Sequence, residues 1–127
     1  MRILIETIPH SKQRYDTCGD WIWEGEDNLH VLVSECNSKT EFLVGIHEAI
    51  EAWLYSHRIG DQLVAQKSVD DFDMSWDNEE KYDEPGDDPE APYNREHFLA
   101  TTVERMLAAG LNYDWTEHEE VVEGLGK

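Results

Sequence analysis

The fold is decided by the stretch Ser38–Leu54, which reads SKTEFLVGIHEAIEAWL. Its first four residues have the form of a capping box, in which a Ser or Thr is followed three residues later by a Glu. Apolar residues then recur at the three- and four-residue spacing of an α-helix. They are Phe42, Leu43, Ile46, Ile50, Trp53 and Leu54. The pattern predicts a central helix over residues 39–57 that ends before Gly60.

Apolar residues before this helix alternate with polar ones, which is typical of strands with one buried face. Residues 20–24 and 29–34 alternate in this way on either side of a short segment rich in Gly, Asp and Asn, which favours a turn. They predict an antiparallel hairpin that buries Trp21 and Trp23. Residues 2–8 predict one further strand.

The two cysteines, Cys18 and Cys36, lie just outside the predicted hairpin. Two free thiols are the default for a cytoplasmic protein. If Trp23 pairs with Val31, however, the two cysteines lie opposite each other, and a cross-strand contact becomes possible.

Three further helices are predicted after the central one. The first covers residues 62–71, the next starts at Pro92–Asn94 and ends at Gly110, and the last begins at Thr116 with a second capping box. Strands therefore precede helices along the chain, which is the order of the α+β class. We expect one domain, 1–127, with N-terminal antiparallel strands packed against three to four helices.

The charge of the chain limits what it can bind. Asp and Glu number 29 against 10 Lys and Arg, so the formal net charge is −19. Direct binding to nucleic acid or to an anionic membrane is not expected, because both depend on Lys and Arg. No apolar run is long enough to span a bilayer, and no signal peptide is evident, so we expect a cytoplasmic protein. The partners that remain are divalent cations, a peptide, or a basic protein surface.

Much of the negative charge lies in one segment, residues 70–91. Asp70–Glu90 contains eleven acidic residues and one basic residue, together with Pro and Gly. This composition predicts an acidic loop, which is either mobile or functional because it is long for a compact domain. Two aromatic residues within it, Trp76 and Tyr82, are candidates for a binding surface.

The central helix also contains the residues that can support chemistry. His47 and Glu51 are one turn apart, on or next to its apolar face, whereas Glu48 lies further round towards the polar side. A buried carboxylate is costly unless it has a strong partner, and a metal ion is one such partner. The spacing therefore indicates a metal site.

The segment His47–Glu51, His-Glu-Ala-Ile-Glu, resembles the His-Glu-x-x-His helix of the zincin metallopeptidases. In that family the two His bind zinc and the Glu is the general base, so the resemblance implies a zinc ligand at His47 and a general base at Glu48. Here Glu51 replaces the second His. The helix is also similar to one found in uncharacterised small phage and prophage proteins, which implies the host cytoplasm for a phage-encoded chain.

A third ligand is needed from elsewhere, and His97 is the best candidate. It lies early in the third predicted helix, where Ala100 and Ala108 would allow another helix to come close. His47, Glu51 and His97 would give the two His and one Glu of some catalytic zinc sites. Glu104 is expected to contact one of these ligands rather than to bind the metal itself. Reserve ligands are Asp70, Asp71 and Asp73, which would favour a harder divalent cation than zinc.

Three functions follow from these residues. The first is a small zinc-dependent hydrolase or peptidase that binds its substrate along the free edge of the hairpin. The alternative is an acidic interaction protein without catalysis, such as an inhibitor that imitates DNA. A third is a scaffold that uses the same metal ligands for stability only.

Overall fold

A computed structural model describes residues 1–77 and 81–125. The α+β class is confirmed, with three N-terminal strands in one sheet and four helices after them. The elements are β1 (Arg2–Ile8), β2 (Gly19–Gly25), β3 (Asn28–Ser34), α1 (Ser38–Ile59), α2 (Gln62–Ser75), α3 (Asn94–Gly110) and α4 (Trp115–Gly124). Within the described part of the chain, no helix is both long and apolar enough to cross a membrane.

The strand order in the sheet is β1-β3-β2. β2 and β3 form the predicted antiparallel hairpin, but β1 runs parallel to β3 rather than antiparallel. The reason is the connection after β1, which crosses the end of β3 before β2 begins. There the Gln13 amide donates to the carbonyls of Cys18 and Leu32 at 3.3 Å.

The register of the hairpin separates the two cysteines. Trp23 pairs with Leu29 rather than with Val31. The chain therefore reverses one residue earlier than a Cys18–Cys36 contact requires, and Asp27 adopts the left-handed conformation, with φ 54°, in this tight turn. The possible contact does not form, and the default of two free thiols is confirmed.

One face of the sheet packs against α1. Trp21 and Trp23 are buried in this core, as predicted, with 2% and 5% of their surface exposed. Gly45 allows the close approach of helix and sheet, because a Cβ at this position would lie 2.8 Å from Ile5. The buried face of α1 differs from the predicted one, however, and Phe42 and Leu54 are exposed. The helix is turned so that its buried face also carries the polar residues of the candidate site.

α3 packs against α1 through small residues. Ala100 and Ala108 are both buried, so the predicted close approach of this face is confirmed. Leu99 and Met106 are exposed, because the buried stripe of α3 is largely polar. It consists of Glu96, His97, Ala100, Glu104 and Ala108.

α2 extends further than the sequence suggested, to Ser75, so the first six residues of the predicted acidic loop are helical. Residues 78–80 of that loop lie outside the described residues. α2 also covers the outer edge of β2, where Gln66 accepts from the backbone N–H of Trp23 at 2.8 Å and donates to the carbonyl of Trp21 at 3.1 Å. The hairpin edge at Trp21 and Trp23 is therefore not free for a substrate, because the Gln66 amide already occupies it.

Candidate metal centre

α1 and α3 bring three predicted ligands together at one point. His47 Nε2 lies 3.2 Å from Glu51 Oε2 and 3.2 Å from His97 Nδ1, and His97 Nδ1 lies 2.9 Å from Glu51 Oε2. All three side chains are buried, with 4 to 6% of each residue exposed. Two imidazole nitrogens and one carboxylate oxygen thus form a nearly equilateral triangle in the interior.

The size of this triangle fits a small divalent cation. An ion held tetrahedrally by bonds of about 2.0–2.1 Å has ligand atoms roughly 3.3 Å apart. The three observed edges are slightly shorter than that value. A slight outward movement of the side chains would suffice to hold zinc, with a fourth position left for another ligand.

The other polar atom of each ligand already has its own partner. His47 Nδ1 donates to Glu104 at 2.8 Å, and His97 Nε2 donates to Asp87 at 2.9 Å. The remaining oxygen of Glu51 accepts from the Trp21 indole at 3.0 Å. When a carboxylate holds the proton on one imidazole nitrogen, the other nitrogen presents its lone pair. In its neutral form, with only this outer proton, each histidine therefore directs a lone pair into the triangle.

The charges of these groups respond to one another. Burial alone would lower the pKa of His47, but its hydrogen bonds with Glu104 and Glu51 raise that pKa well above the usual value. The pKa of His97 is also raised, because contacts with Asp87, Glu51 and Glu84 outweigh the effect of burial. Burial likewise opposes ionisation of Glu51, yet the two histidines lower its pKa to about 2. These shifts favour positive charge at this point, which protons on the two rings supply here.

Glu48 points into the same cavity as the three ligands. The expectation that it lies towards the polar side of α1 is wrong, because α1 is turned further than its apolar pattern suggests. Gly19 makes room for it, since a Cβ at that position would lie 2.5 Å from a carboxylate oxygen of Glu48. Burial and the nearby charge of Glu51 raise the pKa of Glu48 well above its usual value. A carboxylate with a raised pKa beside a metal site suits proton transfer.

The acidic segment after α2 forms one wall of the site. Gly86 lies directly against the imidazole ring of His97, where any side chain would collide with it. The carbonyl of Gly86 accepts from the Asn94 amide at 2.9 Å, which ties the segment to the start of α3. Glu84 and Asp87 then reach the Nε2 atom of His97, at 3.2 and 2.9 Å. This part of the acidic segment therefore orients a candidate ligand.

The predicted reserve ligands lie elsewhere. Asp70 pairs with Arg14 at 3.0 Å and accepts a hydrogen bond from Tyr15 at 2.7 Å. Asp73 lines the cavity but accepts from the Tyr93 hydroxyl at 2.5 Å. Asp71 is exposed and pairs with Lys67. None of the three aspartates belongs to a group of candidate ligands in the described part of the chain.

The centre opens onto a cavity of about 530 Å³. Acidic side chains are prominent in its lining, and no Lys or Arg lines it among the residues that the structure describes. Trp76 contributes to its wall and is held there by a hydrogen bond from its indole to Asp88. The cavity is large enough for a small ligand or for a segment of a peptide.

Sequence reasoning missed His118 on α4, which lies next to the site. Its surroundings are acidic in sequence, which is typical of an exposed face, yet only 1% of its surface is exposed. Its Nε2 atom donates to Glu104 at 2.5 Å, on the oxygen that His47 does not use. No local pattern shows this contact, because it depends on how α4 packs against α1 and α3.

Comparison with protein-family models, with curated proteins and with solved structures found no match to this chain.

Proposed function

We propose that this protein is a small metal-dependent hydrolase, with a peptide as the favoured substrate class. His47, Glu51 and His97 are the ligands of the proposed ion. The observation that carries the proposal is the buried triangle of their three ligand atoms, with edges of 2.9 to 3.2 Å. The sequence predicts this ligand set, and the three side chains come from two helices that meet in the fold.

Zinc is the ion that the donor set fits best. Two neutral imidazoles and one carboxylate are the ligands of a well-known type of catalytic zinc site, which keeps one position open. A site made only of oxygen ligands would favour magnesium or calcium instead. Other transition metals share the preference for imidazole, so the identity of the ion is open to experiment.

Glu48 is the proposed general base. It follows the first ligand on the same helix, lines the cavity, and makes no hydrogen bond to the residues that the structure describes. Its carboxylate is therefore free to take a proton from water and to pass it to a leaving group. A divalent cation bound beside it would supply Lewis-acid activation of that water and of the substrate carbonyl.

The experiment starts with protein purified without a His tag. Wild-type protein should bind close to one equivalent of zinc and should hydrolyse some member of a panel of peptide and ester substrates. Glu48→Gln should retain zinc but lose about 100-fold or more of the activity, since general-base catalysis contributes factors of this size. Glu120→Gln, at an exposed position on α4, is the matched control and should change neither property.

Each outcome separates one function from another. Less than about a tenth of an equivalent of zinc, with no uptake on addition, would remove the metal site. Zinc binding without any hydrolysis, or with activity unchanged in Glu48→Gln, would leave a metal-stabilised scaffold.

A second candidate is an acidic interaction protein without catalysis. It is favoured by the net charge of −19 and by the exposed carboxylates of the segment after α2. Such a protein would bind a basic protein surface, for example the nucleic-acid groove of an enzyme, and its affinity would fall steeply as salt rises. Tight binding that does not change between 50 mM and 500 mM salt would argue against this candidate.

A further inference from the structure

A continuous series of buried hydrogen bonds connects the proposed metal centre to the N-terminal end of α1. His47 and His118 both donate to Glu104, at 2.8 and 2.5 Å. Beyond His118, its Nδ1 atom lies 3.1 Å from the Thr40 hydroxyl, and that hydroxyl lies 2.9 Å from the hydroxyl of Tyr113. The middle residues of the series are fully or nearly fully buried, so no solvent competes for these groups.

At the Asn37 end of this hydrogen-bond series, the structure fixes which group donates and which accepts. Asn37 is the N-cap of α1, and its side-chain oxygen accepts from the backbone N–H of Thr40 at 2.9 Å. Its NH₂ group must therefore be the atom that faces Tyr113, to which it donates at 3.2 Å. Because an amide nitrogen cannot accept, the hydroxyl hydrogen of Tyr113 is free to point onward to Thr40.

The donors and acceptors can then be followed from Tyr113 to the proposed metal ligand His47. The direction that gives the Tyr113 hydroxyl hydrogen an acceptor has Tyr113 donating to Thr40 and Thr40 donating to His118 Nδ1. His118 must then have its hydrogen on Nε2, where it donates to Glu104. Glu104 in turn accepts from His47 Nδ1, so Nε2 is the nitrogen of His47 that a metal ion in the centre would bind.

We propose that His118 is a positioning residue for the metal centre: with Thr40 and Tyr113 it fixes the orientation of Glu104, and thereby the ring orientation and tautomer in which His47 binds the ion. This inference rests on the proposed function, since it assumes that the centre takes a metal. It assigns a role to α4, which contributes no ligand of its own.

A purely structural role for His118 makes different predictions. The ring lies between Tyr113 and Trp115, with ring centroids 5.8 and 5.2 Å away, so its removal would also disturb packing. Packing losses lower the stability of the protein with and without metal. A positioning role lowers zinc affinity specifically, and a side chain that restores only the hydrogen bond to Glu104 should recover it.

The test measures zinc affinity by competition with a chromophoric chelator. His118→Ala should weaken zinc binding by about 10-fold or more, which is the usual size for loss of an outer partner. His118→Gln, whose amide nitrogen can take the place of Nε2 as a donor, should recover most of that loss. The matched control is His30→Ala, since His30 also bonds two carboxylates but lies on the other face of the sheet.

A second variant keeps the test valid if His118→Ala does not fold. Thr40→Val is nearly isosteric and removes the hydroxyl that points to His118. Zinc binding should weaken several-fold, and ¹⁵N NMR of the His118 ring should change from the Nε2–H tautomer to a mixture. Wild-type protein should show the Nε2–H tautomer alone.

The possible results are distinguishable. Equal zinc affinity in His118→Ala, Thr40→Val and His30→Ala would overturn the positioning role and leave the proposed metal centre intact. A His118 ring protonated on Nδ1 alone in the wild type would overturn it as well. Zinc binding that depends on His118 in a protein without hydrolytic activity would support the positioning role and remove only catalysis. No zinc binding by the wild type would remove both.

Discussion

Two histidine clusters of this protein look alike in composition but differ in what they can bind. On the outer face of the sheet, His30 lies between Glu24 and Glu6, at 2.5 and 3.0 Å, and both glutamates are about half exposed. In the interior, His47 and His97 share the carboxylate of Glu51. In the first cluster, each ring nitrogen of His30 lies against a carboxylate of its own. The second turns two ring nitrogens towards each other.

The difference lies in where the ring nitrogens point. The nitrogens of a single imidazole point in different directions, so the two carboxylates beside His30 do not converge with a second ring on one point. In the interior, two ring nitrogens 3.2 Å apart converge on one oxygen of Glu51, so one cation at this point would replace both inner ring protons. Convergence of lone pairs in a buried place, rather than closeness of His to acid, is therefore the feature that supports metal binding.

The largest effect should come from removing a ligand. His97→Ala takes away one of three ligand atoms, and zinc affinity should fall by more than the roughly 100-fold that outer partners reach. The same substitution at His30 should leave affinity within about two-fold. Isothermal titration with zinc measures both. Equal affinity in the two variants would mean that the clusters do not differ in the way proposed.

The pH dependence of zinc binding should be nearly as large. The raised pKa values of His47 and His97 favour rings that are protonated on both nitrogens at neutral pH without metal. Zinc must displace the inner proton of each ring. Affinity should therefore rise with pH, by up to about 100-fold per unit when two protons leave. A pH-indicator dye in weak buffer should report up to two protons released for each zinc bound. Affinity that stays constant from pH 6 to pH 8 would contradict this account.

The smallest effect should come from the outer partner of His97. Asp87→Asn weakens the acceptor that holds the proton on His97 Nε2, and zinc affinity should fall by about 10-fold. Glu24→Gln, which changes the corresponding acceptor of His30, is the control and should have no effect. Competition titrations of the two variants side by side would sharpen the comparison. A larger effect at Glu24 would refute it.

Much of the fold was accessible from the sequence because its signals are local. The hairpin around Trp21 and Trp23 and the capped helix after it follow from alternation, turn residues and helical spacing. The parallel pairing of β1 was not accessible, since it depends on how the chain crosses the end of β3. The rotation of α1 was missed for a related reason. Its buried face combines small, apolar and polar residues, so Phe42 and Leu54 gave a misleading apolar stripe.

The candidate site divides in the same way. His47 and Glu51 lie one turn apart on one helix, so their proximity could be predicted from spacing alone. Adding His97 required the further argument that small residues on α3 permit a close helix pair. His118 and Asp87 could not be found, because their contacts with the site depend on tertiary packing of α4 and of the acidic segment.

The most direct test of the central claim is a crystal structure of the zinc-soaked protein with anomalous data collected above and below the zinc absorption edge. The account predicts one strong anomalous peak about 2.0–2.1 Å from His47 Nε2, His97 Nδ1 and a carboxylate oxygen of Glu51. A peak on the outer side of His97, among Glu84 and Asp87, or no ordered peak at all, would contradict it.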